Sequence, residues 1–586
     1  MKVISINNGH NASLGFFENG QCQLILHEEK FNNVKNYVGF PLLALDYLNT
    51  LINFEEIDFF VFVSNEQMML GVPTQQTGIY ENISTSKYRS FYNYIEYKTG
   101  YKKLFSGFRN YILKKKVSPK AWQEIIHWFK EKHNVDESKI RHFDHHTGHA
   151  LTPVYFYNLV EDAKDILLMT MDGTGDYSFA KVFIYNGLTG EAKLIANSHF
   201  DASIGLFYSG LTTFLGMKAN EHEYKVMGLA AYVSDEKYYR HIYEKLHKVV
   251  WLNSDTLEFD STFNTNISHL YFKKHGVMER FDNLAAAMQK FTEDLVLQWI
   301  TAAIKKTGIR KIACSGGVFM NVKMNQKIAA LPEVSKVYFQ PSCGDESLVI
   351  GGAAQIYLEH KIPLQSIETM YLGHRYTNEE VDKFLQDNHY AQKYQVTYIE
   401  EIENKIAELL ANFHIVARFK GAGEWGARSL CNRGILGNAS DLNTFYEVND
   451  MIKMRDFWMP FAPTILADWA GKYIKNWEQI KEKTYDSTKY MIMTVDSTEL
   501  AQQHLRAGIH QKDKTLRPQL VEHKDNADLY HLLKAYEKLT GMGGILNTSL
   551  NLHGYPLVGT LEQAMFTFEN SGLKYIALEN YLVIKA

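Results

Sequence analysis

Short apolar runs broken by small polar turns open the chain. Residues 3–6 and 13–17 flank Asn7-Asn8-Gly9-His10-Asn11, and a third run covers 23–27, a pattern that predicts short strands around tight turns. A helix is predicted near 42–53 and a strand near 58–63. Further on, 166–171 and 179–185 predict strands, and the amphipathic stretch from about 284 to 306 predicts a long helix. Two more strands, 311–314 and 336–339, each run into small residues and a following helix. Turns of this kind present backbone N–H groups and can face phosphate. The candidates are the NNGHN turn, Asp172-Gly173-Thr174-Gly175-Asp176 after the strand 166–171, and Ser315-Gly316-Gly317 before Asn321.

The run Asp144-His145-His146-Thr147-Gly148-His149-Ala150 carries the most chemistry. On a helix, residues four apart lie over one another, so His145 and His149 present two imidazoles to one ion. A carboxylate from elsewhere completes a two-His-one-carboxylate set, which suits an iron-like divalent metal. Asp345, placed where a strand end meets a helix start, is the natural third ligand. The bland alternative is a helix N-terminus whose histidines bond their neighbours.

Composition narrows the classes. At 586 residues the chain is too long for one core. No apolar run approaches the ~18–20 residues needed to span a bilayer, and the start does not read as a signal peptide. Four dispersed cysteines without a C-x-x-C pair favour a reducing, cytoplasmic setting over disulfides or a zinc knuckle. Charge is uneven: over 87–120 there are ten Lys or Arg and one acid, Glu96, interleaved with aromatic residues. Lys87, Arg89, Lys102, Lys103, Arg109, Lys114, Lys115 and Lys116 could contact a polyanion, with rings to stack on bases. A solvated helical hairpin with buried aromatics is the competing reading of this insert, about 65–135.

The pieces NNGHNAS, EEKF…K…GFP, HHTGHA, MDGTGDY, EYKVMGLAAY, SGGVFMN and CGDESLVIGGAA follow one another in order. GEWGARSLCNR, KMR…MPFAP, TLRPQ and NTSLN come after them. Together they resemble the O-carbamoyltransferase family of NodU, TobZ and the antibiotic-tailoring enzymes, over nearly the whole chain. Departures are Ala427, Ser429, Cys431 and Gly434 within the arginine motif, and Met459 where an Arg commonly precedes Pro-Phe-Ala-Pro.

The resemblance implies an α/β chain. An actin-like ATPase (ASKHA, RNase H-like) domain would span 1–360, and an α+β YrdC-like domain 373–586. It implies that the second domain makes carbamoyl-adenylate from carbamoyl phosphate and ATP, with Arg418, Arg428, Asn432, Arg433, Lys453, Arg455, Arg517, Asn547 and Ser549 holding the anions. In the first domain it implies a metal on His145, His149 and Asp345, with His10, Lys35 and Asp172 catalytic. Asn11, Gly173, Lys225, Gly228, Gly316, Gly317 and Asn321 would hold the nucleotide. Fe2+ or another divalent metal, Mg2+ and ATP are the implied cofactors, and a homodimer is one option for assembly. The acceptor is a hydroxyl compound. The basic insert favours a hydroxymethylated pyrimidine in DNA or as a nucleotide, and a sugar or antibiotic-like molecule is the alternative. Two further readings compete: a sugar-kinase-like ATPase of the same broad fold, and a nucleic-acid-binding protein on that scaffold without transferase activity.

Overall fold

The computed structural model describes residues 1–64, 97, 118–161, 165–454, 456, 458–484 and 487–585. Its contacts divide the chain into two compact units. One comprises Met1–Gln23 and Asn36–Ile367; the other comprises Leu24–Lys35 and Glu368–Ala586.

The first unit is built on two five-stranded sheets. β1 (Lys2–Asn7), β2 (Ser13–Glu18), β3 (Gln21–His27), β4 (Phe59–Val63) and β5 (Ile140–Phe143) lie in the order β3-β2-β1-β4-β5. β1 is antiparallel to β2 and parallel to β4, which is parallel to β5. The second sheet repeats this plan. It holds β6 (Ile166–Gly175), β7 (Ser178–Asn186), β8 (Glu191–His199) and, after the hairpin β9 (Val250–Asn253) and β10 (Glu258–Ser261), β11 (Lys311–Ser315) and β12 (Lys336–Phe339). The order is β12-β11-β6-β7-β8, with β6 antiparallel to β7 and parallel to β11. A meander of three strands followed by two parallel additions, made twice, is the duplicated sheet of the actin-like ATPase fold.

Central strands of such sheets are covered on both faces, so they read as continuous apolar runs. Val3, Ile4 and Ile6 of β1 and Ile166, Leu167, Leu168 and Met169 of β6 are all fully buried. Each contributes about 1.5–3 kcal/mol on the usual area scale. Within the region 65–135, the helix Ser118–His133 lies among the described residues. Its Phe129 ring packs 5.1 Å from Phe60 and 5.8 Å from Phe62, against the core side of β4. The eight cations singled out over 87–116 lie outside the described residues.

The helix His145–Phe156 packs against the helix Leu348–Glu359 where two glycines meet. A Cβ on Gly351 would stand 1.9 Å from the Gly148 carbonyl oxygen, and one on Gly148 would stand 2.3 Å from Val63 Cγ1. This close approach brings the start of one helix beside the turn that precedes the other.

The strand that delivers Asp172 is longer than the sequence predicts. β6 continues to Gly175 through an irregularity after Met171, and the turn falls at Asp176-Tyr177, both with positive φ (47° and 67°). Two consecutive left-handed residues match the twist of a tight hairpin. The D-G-T-G segment is therefore a bulged strand end, not the turn.

The second unit contains an eight-stranded mixed sheet. Its strands are β13 (Gln395–Tyr398), β14 (Val416–Phe419), β15 (Arg433–Gly437), β16 (Ala462–Leu466), β19 (Gln519–Val521), β20 (Gly544–Ser549), β21 (Tyr575–Leu578) and β22 (Tyr581–Ile584). They run in the order β13-β22-β21-β14-β15-β20-β16-β19, while β17 (Val495–Asp496) and β18 (Thr515–Leu516) pair separately. Among the described residues no helix is long and apolar enough to cross a membrane.

Candidate metal centre and anion-binding loops

Four side chains converge at strand ends of the first unit. Asp144 caps the helix His145–Phe156, accepting from the Thr147 N–H at 2.9 Å, and is itself held by Lys181 Nζ at 2.8 Å. The His145 N–H donates to Asp176 at 2.8 Å. Thus anchored, the first turn directs His145 and His149 to one point. Asp172 arrives from β6 and Asp345 from the turn after β12. His145 Nε2 lies 3.3 Å from Asp172 and 3.7 Å from Asp345, and His149 Nε2 lies 3.8 Å and 3.4 Å from the same carboxylates. All four ligand atoms fall within 4.8 Å of one another, the one such cluster of three or more His, Cys, Asp or Glu among the described residues.

The surroundings fix each member. Asp172 Oδ1 accepts from the Gly317 N–H at 2.9 Å, which turns Oδ2 toward the imidazoles. Gly316 adopts φ 103°, and a Cβ there would stand 2.4 Å from the Met171 carbonyl oxygen, so only glycine lets the loop close over Asp172. His149 Nδ1 meets the Ser315 hydroxyl at 3.4 Å, which leaves Nε2 for the centre. His149 Nε2 is buried with no hydrogen-bond partner among the described residues. Behind Asp345, the Asn7 amide donates to the Asp345 carbonyl oxygen at 3.1 Å and to that of His10 at 2.9 Å.

Electrostatics follow from this geometry. Burial by itself would push His145 down, but the carboxylates of Asp345 and Asp172 outweigh it and raise the pKa from 6.5 to about 9. His149 is raised in the same way, and the two imidazoles hold Asp172 well below the ordinary carboxylate range against its burial. His146 points elsewhere: buried, bonded to Thr170 Oγ1 at 2.9 Å and pushed well below 6.5, it stays neutral. The metal-free ion pairs of His145 therefore stabilise the fold fully below about pH 6.5 and fade as pH rises through about 9. A cation needs the neutral imidazole, so binding releases a proton at neutral pH. Affinity for Mn2+ or Co2+ is expected to rise from pH 7 toward pH 9, with proton release seen by calorimetry in buffers of different ionisation heat. A flat affinity profile over that range contradicts the assignment.

The other residues singled out in the first unit occupy varied places. Gly173, Gly316 and Gly317 surround the Asp172 segment, and a Cβ on Gly317 would press on Asp172 Oδ1. Asn11 donates to Glu346 at 3.3 Å. Lys225 and Gly228 share the helix Glu223–Ala230. Asn321 caps the helix Val322–Ala330 and exchanges two hydrogen bonds with Gln289, so its amide is already engaged. Lys35 falls in the second unit.

In the second unit, the loop 424–433 wraps around a carboxylate that the sequence did not single out. Glu424 Oε1 accepts from the N–H groups of Leu430 (2.8 Å), Asn432 (2.8 Å) and Arg433 (3.1 Å), with Cys431 at φ 77° between them. This is a nest of backbone donors filled by the chain's own acid. The Arg433 guanidinium is buried, donates to the carbonyl oxygens of Lys420, Asn432, His374 and Gly421, and stacks 3.7 Å from the Phe419 ring. Burial lowers its pKa to about 10. Arg418 is likewise buried against Cys431 O and Asn432 Oδ1. These two arginines build the loop through their terminal N–H groups, while the Nε of each lies buried without a hydrogen-bond partner among the described residues. Lys453 donates to Ser549 and Asn551, so two of the predicted residues meet, while Asn547 donates to Ser429 O. Arg428 and Arg517 are half-buried, and Arg455 lies outside the described residues.

Residues 2–354 match the family model of the carbamoyltransferase N-terminus and residues 407–585 that of the carbamoyltransferase C-terminus. The chain is 32% identical over 463 residues to "Uncharacterized protein MJ1058" of Methanocaldococcus jannaschii, covering 75% of this chain and 73% of that protein. It is 26% identical over 590 residues to MJ1051 of the same organism, covering 100% and 99%. Over 260 residues it is 26% identical to the 3'-hydroxymethylcephem-O-carbamoyltransferase of Amycolatopsis lactamdurans, covering 44% of this chain and 46% of that protein. With both halves matched in order, and a relative above 30% identity spanning three quarters of its length, the chain belongs to the carbamoyltransferase family and is an enzyme that transfers carbamoyl groups.

Proposed function

We propose that the protein forms carbamoyl-adenylate from carbamoyl phosphate and ATP in its second unit and transfers the carbamoyl group to an acceptor hydroxyl in its first. The observation that carries this reading is the buried cluster His145, His149, Asp172 and Asp345 at strand ends of a duplicated sheet. A phosphoryl-transfer site of the same fold has no need of two buried imidazoles.

The reaction divides into three balanced steps. Water cleaves carbamoyl phosphate to carbamate and phosphate. A carbamate oxygen attacks the α-phosphorus of ATP, and pyrophosphate leaves. The acceptor oxygen then attacks the carbamoyl carbon, the bond to the AMP oxygen breaks, and AMP departs with the electron pair. In the second unit, Lys453, Ser549, Arg428 and Arg517 present charge and hydrogen bonds to the phosphates. The shape of that site depends on Glu424, Arg418, Asn432 and Arg433, which hold the loop. In the first unit, His10 takes the acceptor's proton at its Nε2, a buried atom with no hydrogen-bond partner among the described residues. Gly173, Gly316 and Gly317 let the backbone approach the AMP portion.

Two imidazoles and two carboxylates, with His149 Nε2 otherwise unsatisfied, fit a divalent cation of the iron type, while Mg2+ accompanies ATP. Once bound, the ion supplies Lewis-acid polarisation of the carbamoyl or acceptor oxygen. Asp144, Asp176 and Ser315 keep its ligands aimed. The name of the cephem relative favours a ring-borne hydroxymethyl acceptor. The hydroxymethyl-pyrimidine reading adds the basic segment over 87–116 as a polyanion contact.

The test is direct. Purified protein with carbamoyl phosphate, ATP, Mg2+ and Fe2+ is expected to release pyrophosphate and, with a hydroxymethylated nucleoside or oligonucleotide, to form AMP and a product heavier by one carbamoyl group. ADP in place of pyrophosphate points to a kinase and overturns the reading.

A further inference from the structure

The turn between β1 and β2 contains polar atoms that the fold leaves unsatisfied. Asn8 is 1% exposed, and both ends of its amide, Oδ1 and Nδ2, lie buried without a hydrogen-bond partner among the described residues. Two positions on, His10 Nε2 is in the same condition, and so is Asn7 Oδ1 beside them. Buried amides are nearly always paired, and leaving one unpaired costs about 1–3 kcal/mol for each group. Four such atoms lie within four consecutive residues, Asn7 to His10. The turn adjoins the cluster, because the Asn7 amide ties the carbonyl oxygens of His10 and Asp345 together.

We propose that Asn8 recognises the carbamoyl group itself. This rests on the carbamoyl-transfer reading above. A carbamoyl group is a primary amide: its oxygen accepts and its NH2 donates. Asn8 offers the mirror image, with Nδ2 donating to the carbamoyl oxygen and Oδ1 accepting from the carbamoyl nitrogen. Few other acyl groups satisfy both ends at once. An acetyl group lacks the donor, and a carboxylate lacks it and adds charge. The same contacts would orient the carbonyl carbon toward an acceptor oxygen whose proton goes to His10. Asn8 is thus a specificity-determining contact, and it bonds strongly only when the correct acyl group is present.

Asn8→Leu and Asn8→Asp test this in the full-length protein. Leu keeps the volume but removes both polar ends; Asp keeps the shape and loses the donor. Pyrophosphate release from ATP and carbamoyl phosphate reports on the second unit and is expected to stay at the wild-type rate in both. Carbamoyl transfer to the acceptor is expected to fall about tenfold or more in both, the loss of at least one hydrogen bond to the reacting group. The melting temperature of Asn8→Leu is expected to be no lower than that of wild type, since an unpaired buried amide has been exchanged for an apolar side chain of similar shape. Unchanged transfer in Asn8→Leu overturns the assignment. So does a parallel loss of pyrophosphate release and transfer, which marks a structural role. A wild-type protein that releases no pyrophosphate fails the functional reading itself, a separate and recognisable result.

Discussion

The His149→Ala protein is expected to lose carbamoyl transfer by about 10³-fold, a loss of several kcal/mol of electrostatic stabilisation, while its pyrophosphate release stays at the wild-type rate. His149 supplies the one cluster imidazole nitrogen that is both directed at the two carboxylates and without a hydrogen-bond partner among the described residues. Its removal leaves Asp172 and Asp345 facing a single imidazole. The metal content of the purified variant, measured by mass spectrometry, is expected to drop together with transfer. Retained metal with lost transfer would shift the role of His149 from ligand to proton handling. Retained transfer would remove the metal centre from the mechanism altogether. Asp345→Asn is expected to behave similarly and more mildly, because an amide oxygen still coordinates, though without charge.

The second large effect belongs to the other unit. Glu424→Ala is expected to destabilise the protein by about 3 kcal/mol or more and to abolish pyrophosphate release. Three backbone N–H groups lose their common acceptor within a closed interior, each at a cost of about 1–3 kcal/mol. Glu424→Gln keeps one acceptor oxygen and is expected to recover most of the stability. If Glu424→Ala unfolds at wild-type denaturant concentration, the loop does not depend on its carboxylate. The pair separates structure from chemistry: Gln should restore the fold and, with it, the placement of Arg428.

Much of the first unit was readable from residue order. The alternation around NNGHN, the apolar run before Asp172 and the i, i+4 histidines each reflect a local rule, and the strands and helix formed where those rules put them. The gathering of His145, His149 and Asp345 was readable because strand ends and helix starts are the places where chemistry collects. Asp172 is expected as a catalytic group, and its place beside both imidazoles is a matter of three-dimensional arrangement. It shares the imidazoles equally with Asp345, a relation set by a β-bulge that no local pattern reveals. Arg433 was read as a phosphate contact because arginine near small residues suits anions. Only the three-dimensional register shows its two terminal nitrogens donating to four carbonyl oxygens. Glu424 and Asn8 escaped notice for the same reason: the decisive fact about each is what does or does not surround its side chain. Nothing among the described residues tests the basic stretch over 87–116.

The segment Leu24–Lys35 leaves one unit to join the other before the chain returns. Within its adopted unit, His27 accepts from the Gly426 N–H at 3.2 Å, and the Lys30 carbonyl oxygen accepts from the Gln563 amide at 3.0 Å. A C-terminal fragment begun at Glu368 would lack these twelve residues and the supports they give to the loop that encloses Glu424. The second unit therefore cannot be freed by a single cut, and a gene split near that position would have to carry a copy of the early segment along with it. The interleaving makes the two units one inheritable piece.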